Sequence, residues 1–298
     1  MKIAVNTPTG NIGRVVTARL LDAGADVVLL TRNTEKVRQF SDRGAAVFDG
    51  NLEDADFVVR ATRGVDVLFW LTPSNIAAED VRGYQRKLGK VVARAVSENK
   101  ITRVVNLSSI GAHVPTGTGP IAGLYDVEKK IDETGASVTH LRPGFFMENF
   151  FMSVESIAGQ GAIFLPIQGS ARMPMIATAD IAEAAAERLL DESWSGRTVI
   201  EIIGPDNLSF DGAAKILGKA IGKEIKFMPT SRDQTREAFI GMGVSPSVAD
   251  SFVEMYGAFD AGTIAPESPK KARAATTTLG AFAENVFRPG FEAMTGEK

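Results

Sequence analysis

Val5-Asn6-Thr7-Pro8-Thr9-Gly10-Asn11-Ile12-Gly13 closes the first apolar run of the chain and opens its first helical one. Lys2–Val5 reads as a buried strand. Asn11–Ala23 places Ile12, Val15, Val16, Leu20 and Leu21 near one side, which is helical spacing. A strand that breaks into a helix over glycines can aim backbone N–H groups and a helix N-terminus at phosphates. Gly10 would let phosphates approach the backbone, and Gly13 would let the helix pack close to the sheet. The pattern G-x-x-G-x-x-G also asks for glycine at position 7, where this chain has Thr7. Pro8 restricts the residue before it, so Thr7 is expected to be extended. A glycine turn alone is weak evidence, because many such turns only turn.

Outward from this turn the first half alternates short apolar runs with helical patterns. Strands are expected at Asp26–Leu30, Ala46–Phe48, Val67–Leu71, Arg103–Leu107 and Ser137–Leu141. Helices are expected near Thr34–Arg43, Asp54–Arg63, Glu79–Glu98 and Ile121–Thr134. Strands apolar on both faces and separated by helices predict an α/β fold, a doubly wound parallel Rossmann-type sheet. After Pro143 the pattern loosens. Phe145–Ala158 reads as helix or loop, Thr178–Leu190 as a helix, Thr198–Ile203 as a strand and Ser209–Ile221 as a helix with Ser209 at its N-cap. Ile225–Met228 reads as a strand, and Arg232–Met242, Pro246–Phe259 and Thr277–Val286 as helices. The expected division is a nucleotide-binding domain over 1–142 and a smaller, mainly helical lobe over 143–298, with 178–203 packing back on the sheet. Ala265–Arg273 is expected to be a mobile loop.

Composition removes several chemistries. There is no cysteine, so disulfides, thiolate metal sites and a cysteine nucleophile are excluded. With two histidines, His113 and His140, no His-rich metal site is expected. The net charge of −3 gives no nucleic-acid footprint. No apolar run approaches the roughly 20 residues that span a membrane, and no cleavable signal is evident, so a cytoplasmic protein is expected.

The cofactor can be narrowed from the end of the second strand. An acidic residue there would bond the ribose 2′-OH of NAD. This chain has Thr31-Arg32-Asn33-Thr34-Glu35-Lys36 instead. The planar fork of Arg32 suits a 2′-phosphate, and Lys36 could add a second positive charge. NADP(H) is the expected cofactor, with Thr7, Thr9, Gly10, Asn11, Ile12 and Gly13 as candidate contacts in the turn. The alternative for Arg32 and Lys36 is ordinary solvated surface charge.

With these residues the chain resembles the NmrA-like branch of the atypical short-chain dehydrogenase/reductases. Further matching segments are Asp49-Gly50-Asn51-Leu52, Leu71-Thr72-Pro73, Asn106-Leu107-Ser108-Ser109, Leu141–Asn149 and Thr276–Phe282. The resemblance implies that Asn51 and Leu52 lie near the adenine, and that Leu71, Thr72 and Pro73 border the ribose and phosphates. It puts Ser108 and Ser109 near the nicotinamide. It also implies that Pro143, Gly144, Phe145 and Phe146 cover the nicotinamide and substrate pocket, which Phe145, Phe146 and Met147 would make apolar. Core packing between lobes is an equal alternative for those last three.

Tyr125-Asp126-Val127-Glu128-Lys129 fits Y-x-x-x-K, the pair that serves as acid/base in the wider superfamily. Its register argues against that role. Ile121, Leu124, Val127 and Ile131 mark the buried stripe of the helix, and at about 100° per residue Lys129 points to solvent. In the resembled family a Glu follows the catalytic Lys by four positions. Glu128 fits that Glu, which puts the Lys position at Leu124 and the Tyr position at Pro120. Tyr125 is therefore only a minor candidate, and no catalytic residue is assigned.

Among the remaining polar residues, His113 is expected to be a solvated loop residue and His140 structural. Glu148, Asn149 and Asp180 are expected to serve helix N-termini. Two functions remain in view. One is an NADPH-dependent oxidoreductase acting on a small electron-poor acceptor such as a quinone. The other is a non-catalytic NADP(H) sensor with a regulatory protein partner. A sugar-nucleotide epimerase, which needs the acid/base Tyr, is the least favoured.

Overall fold

The alternation of side chains along the first strand sets the architecture. Ile3 and Val5 point to one side of a sheet and Ala4 to the other, all fully buried. In the computed structural model, which describes residues 1–297, β1 (Lys2–Asn6), β2 (Asp26–Thr31), β3 (Ala46–Asp49), β4 (Val67–Leu71), β5 (Arg103–Leu107) and β6 (Ser137–Pro143) lie in one parallel sheet. Arg197–Ile203 pairs parallel with β6, and Arg273–Ala274 adds the edge. The eight strands run in the order Arg273–Ala274, Arg197–Ile203, β6, β5, β4, β1, β2, β3.

Helices cover both faces. α1 (Asn11–Asp22) and the helix Thr178–Leu190 pack together on the Ile3 and Val5 side, with Val16, Leu20, Ile181 and Leu189 in that core. The short α2 (Arg38–Ser41) follows a 3-10 turn over Glu35–Val37. α3 (Ala55–Ala61), α4 (Val81–Asn99) and α5 (Pro120–Asp132) cover the Ala4 side, with Phe57, Leu88, Val92, Val127 and Ile131 in a second core. From β1 the chain winds outward to β2 and β3, then returns to place β4 on the other side of β1. A crevice opens at the strand C-termini where the winding reverses, the usual ligand position in such sheets.

The segment after β6 builds a third core, rich in aromatics: Phe150, Phe210, Phe227, Phe282, Phe287 and Phe291 are all buried there. Phe145–Ala158 resolves into a two-residue strand, a 3-10 stretch over Met147–Ser153 and the start of the helix Val154–Gln160. Strands not expected from the sequence lie at Ala162–Leu165 and Arg172–Ile176. The first pairs with Lys226–Pro229, the second with Asn207–Ser209 and Phe145–Phe146. Ser209 caps its helix, its Oγ accepting the Gly212 N–H at 3.1 Å.

Ala265–Arg273, expected to be a mobile loop, is tied to the sheet at Glu267 and Ser268. Glu201 accepts the N–H groups of Glu267 and Ser268 at 2.5 and 2.8 Å, and Arg142 donates to Glu267 at 2.9 Å. Those two backbone donors are thus satisfied by a buried carboxylate rather than by water. Among the described residues no helix is long and apolar enough to cross a membrane, and no group of side chains could hold a metal ion.

Candidate functional site

The floor of the crevice is made by one buried amide. Asn6 Nδ2 donates to the Leu71 carbonyl at 2.8 Å, and Asn6 Oδ1 accepts the Leu71 N–H at 2.9 Å. This two-way clamp joins the ends of β1 and β4 at the point where the winding reverses. Asn6 is fully buried. A single polar residue ending an apolar strand was the available signal, and the sequence reading passed over it.

The turn that follows corrects the expectation for Thr7. Its φ is +51°, left-handed rather than extended. The preference imposed by Pro8 loses to the turn itself. The Thr7 carbonyl accepts the Gly10 N–H at 3.1 Å, and a Cβ on Gly13 would stand 2.1 Å from that same oxygen. Gly13 thus has to be glycine for α1 to approach β1. Gly10 caps α1 without a side-chain hydrogen bond, so the first N–H groups of the helix, at Asn11 to Gly13, have no side-chain partner at the cap. Thr9 and Asn11 are exposed beside them, and Ile12 is buried in the core. The hydroxyls of Thr7, Thr72 and Ser108, at the ends of β1, β4 and β5, are buried without a partner. These features fit a phosphate-bearing dinucleotide laid across the three strand ends.

Arg32 follows β2, exposed and in no ion pair among the described residues. It lies near Tyr84, whose hydroxyl is pushed up by burial and by Glu53 and pulled back by the Arg32 charge. The turn carrying Arg32 is held by Thr31 Oγ, which accepts the Asn33 N–H at 3.0 Å. Asn33 Oδ1 accepts the Lys36 N–H at 3.1 Å. Lys36 is exposed one turn on. Asn51 is exposed, with Oδ1 accepting the Glu53 N–H at 3.0 Å, and Leu52 is half-buried beside it.

On the other side, Leu71, Thr72 and Pro73 lead out of β4 under the helix Pro246–Asp260. Ser245 donates its N–H to Ile76 at 2.8 Å, and Ser247 Oγ accepts the Val81 N–H at 3.1 Å. A cavity of about 30 Å³ remains between Pro73 and Phe252. Ser108 is pinned through its N–H to Leu141 at 2.7 Å, and Ser109 is half-exposed next to it. The Pro143 carbonyl accepts the Ile110 N–H at 3.0 Å.

The Phe145–Met147 stretch divides. Phe145 stacks with Phe150 and Phe210 at 5.6 and 5.4 Å between ring centres, and Met147 is fully buried in the same lobe core. Met147, expected to line a pocket, is taken up by core packing. Phe146 is half-buried against the core of the sheet. Gly144 carries a backbone crossing: a Cβ there would meet the Pro174 carbonyl at 2.1 Å.

Tyr125 and Lys129 do not reach this crevice. They face a separate cavity of about 400 Å³ between α5 and Arg197–Ile203, lined by none of Thr7, Thr72 or Ser108. Ile121, Val127 and Ile131 take the buried side of α5, while Leu124 is only half-buried. Glu128 is buried too, bonded bidentately to Arg142 at 2.9 and 2.7 Å. His140 is fully buried, bridging Asn106 at 3.0 Å and Asp132 at 2.9 Å. His113 lies on the rim of the second cavity. Glu148 caps the helix Thr178–Leu190 rather than its own, accepting the Thr178 N–H at 3.0 Å. Asp180 accepts the Thr277 N–H at 3.2 Å.

Residues 1–283 match the sequence pattern of the NmrA-like family. An NAD(P)H azoreductase of Xenophilus azovorans is 27% identical over 248 residues, covering 83% of this chain and 84% of that protein. The solved structure of an NADPH-dependent quinone oxidoreductase from Escherichia coli, complexed with NADPH, superposes with a TM-score of 0.79. It is 22% identical and covers 96% of this chain and 99% of that one. A nucleoside-diphosphate-sugar epimerase from Staphylococcus aureus superposes with a TM-score of 0.81 at 18% identity, over 96% and 100% of the two chains. At these identities the structural likenesses speak for the fold.

Proposed function

The chain belongs to the NmrA-like family, and on that premise we propose that it is an NADPH-dependent oxidoreductase that passes hydride to a small, flat, electron-poor acceptor such as a quinone or an azo compound. The observation that carries this reading is the displacement of Tyr125 and Lys129 from the crevice into a separate cavity. Epimerisation and alcohol oxidation ask for a positioned acid/base beside the nicotinamide. Hydride transfer to an electron-poor acceptor asks mainly for orientation and exclusion of water. The azoreductase and quinone reductase relatives point the same way.

When bound, NADPH supplies the hydride. The residues of this chain bind and orient it. The first N–H groups of α1 would take the pyrophosphate, and Arg32 with Lys36 the 2′-phosphate. Asn51 and Leu52 would border the adenine, and Leu71, Thr72 and Pro73 the ribose and phosphates. Ser108, Ser109, Pro143, Gly144 and the backbone of Phe145, whose ring is packed in the lobe core, would frame the nicotinamide end, with Phe146 adding apolar surface. The proton that completes the reaction comes from solvent.

The test follows nicotinamide absorbance against a panel of quinone and azo acceptors, alongside titrations of NADPH and NADH into the wild type and Arg32→Ala. Consumption above the protein-free rate is expected. Arg32→Ala should weaken NADPH by about 10- to 100-fold, the worth of a lost charge-assisted contact, and NADH by much less. Tight NADPH binding with no acceptor turned over would overturn the reading in favour of a sensor that reports NADP(H) to a protein partner. Equal loss for both nucleotides would remove Arg32 from the 2′-phosphate.

A further inference from the structure

The cavity that holds the displaced Tyr125 and Lys129 is itself built like a site. It is closed on one side by α5, on another by Arg197–Ile203, and roofed by the Glu267–Lys271 stretch. At about 400 Å³ it falls in the range of small-molecule pockets. Its polar groups divide into two sets. The carboxylates are spent on construction. Glu128 is filled by the guanidinium of Arg142. Glu201 accepts two backbone N–H groups. Glu267 accepts from Arg142. Arg142 in turn is consumed by those two glutamates, and Arg197 gives its Nε to Asp132 at 2.8 Å.

The polar groups left over are Lys129, Lys271, the Tyr125 and Ser268 hydroxyls, and His113, whose Nδ1 is buried with no hydrogen-bond partner. Neither lysine is in an ion pair among the described residues, and Lys129 lies 5.5 Å from the centre of the Tyr125 ring. With Asp132, the partner of Arg197, counted in, the four cations Lys129, Arg142, Arg197 and Lys271 balance four carboxylates. The balance is uneven in space: both guanidinium groups are held in ion pairs, and the two ammonium groups are the cations of the cavity with no carboxylate at ion-pair distance among the described residues. We propose that this cavity is a second small-molecule site, one that takes a small organic anion with a phosphate or dicarboxylate group. The charged end would lie between Lys129 and Lys271, the Tyr125 hydroxyl would donate to it, and the remainder would lie along the Tyr125 ring and Val199. The site is separate from the cofactor crevice and does not depend on the function proposed above.

The test is calorimetric titration of the full chain with inorganic phosphate, phenyl phosphate and malonate. It is run on the wild type, on Arg32→Ala, and on the double variant Lys129→Ala with Lys271→Ala. Arg32→Ala weakens the cofactor crevice, and each titration is repeated with NADPH at saturation to occupy the Lys36 and α1 end of that crevice, so that binding there is not mistaken for binding here. Both lysines are exposed, so the double variant should fold, and an unchanged melting temperature checks this. The expected result is saturable binding that Arg32→Ala keeps and the double variant loses by at least about tenfold, weakening as salt rises. Tyr125→Phe should weaken it by a smaller factor. Preference for phenyl phosphate over malonate would assign a phosphate monoester, and the reverse a dicarboxylate. No binding to the wild type, or binding the double variant keeps in full, would overturn the proposal.

Discussion

Thr7 is where local preference and tertiary demand collide most directly. A β-branched residue at φ +51° sits in a region that costs L-residues about 1–2 kcal/mol. Its hydroxyl adds to this, buried with no partner, a loss of about 1–3 kcal/mol when the group cannot reach water. Glycine would relieve both, at an unfolded-state entropy cost of about 0.5–1 kcal/mol. Thr7→Gly is therefore expected to stabilise the ligand-free protein by about 1 kcal/mol, raising its melting temperature by about 3 °C. Thermal unfolding of the two proteins side by side checks this, and a fall in melting temperature would show that Thr7 is not strained. Position 7 was legible as a departure from glycine, but its conformation was not. Pro8 pointed to extended backbone, and only the approach of Gly13 to the Thr7 carbonyl, 2.1 Å from where a Cβ would lie, shows why the turn must be left-handed.

At the scale of elements, legibility tracks burial. β1, β2, β4, β5 and β6 are apolar runs covered on both faces, and each was readable within a residue or two. Arg172–Ile176 was not, because Arg172 and Pro174 interrupt its alternation. Arg273–Ala274 and Phe145–Phe146 are too short to carry a pattern at all. The register of α5 was readable from Ile121, Val127 and Ile131, and with it the outward direction of Lys129. The partners of its buried glutamate were not, since Glu128 meets a residue 14 positions away and Arg142 then meets Glu267, 125 positions on. That chain of charges fixes α5, β6 and the Glu267 segment together. Its two carboxylates differ in exposure, 2% for Glu128 against 55% for Glu267. Removing one partner of a buried pair costs about 3–5 kcal/mol, whereas an exposed pair is worth about 0–1 kcal/mol. Glu128→Ala should thus lose about 3 kcal/mol in urea unfolding and Glu267→Ala less than about 1 kcal/mol. Equal losses would mean that Arg142 is supported mainly from the Glu267 side.

Across the whole molecule, the lobe and the sheet meet at Glu148, whose carboxylate accepts the backbone N–H and the hydroxyl of Thr178. Glu148 belongs to the aromatic lobe segment. Thr178 opens the helix that packs on α1, the helix of the glycine turn. Burial raises the Glu148 carboxyl above its ordinary range. The Thr178 hydroxyl, the backbone N–H groups of Glu148 and Thr178, and the Arg14 charge on α1 pull it back only in part. A raised carboxyl means the native state holds this proton more tightly than the unfolded chain. Its contribution is fully present below the unfolded value of about 4.3 and is lost as pH rises through the higher folded value. Asp132 and Asp126 have the opposite sign. Burial raises each, but His140, Arg197 and Lys129 for the first, and Arg82 and Arg86 for the second, outweigh it. Their stabilisation is present above about 3.9 and is lost as pH falls through their lowered folded values. Because the two windows lie on either side of pH 4, they can be separated. Glu148→Gln keeps an acceptor for Thr178 without a titrating proton. Between pH 7 and pH 4 the wild type should gain melting temperature relative to Glu148→Gln, whereas the advantage of the wild type over Asp132→Asn should hold steady down to about pH 4 and shrink only below it, as the wild type falls faster. A difference between wild type and Glu148→Gln that stays constant from pH 7 to pH 4 would mean that the carboxylate at the junction of the lobes is not held above its ordinary range.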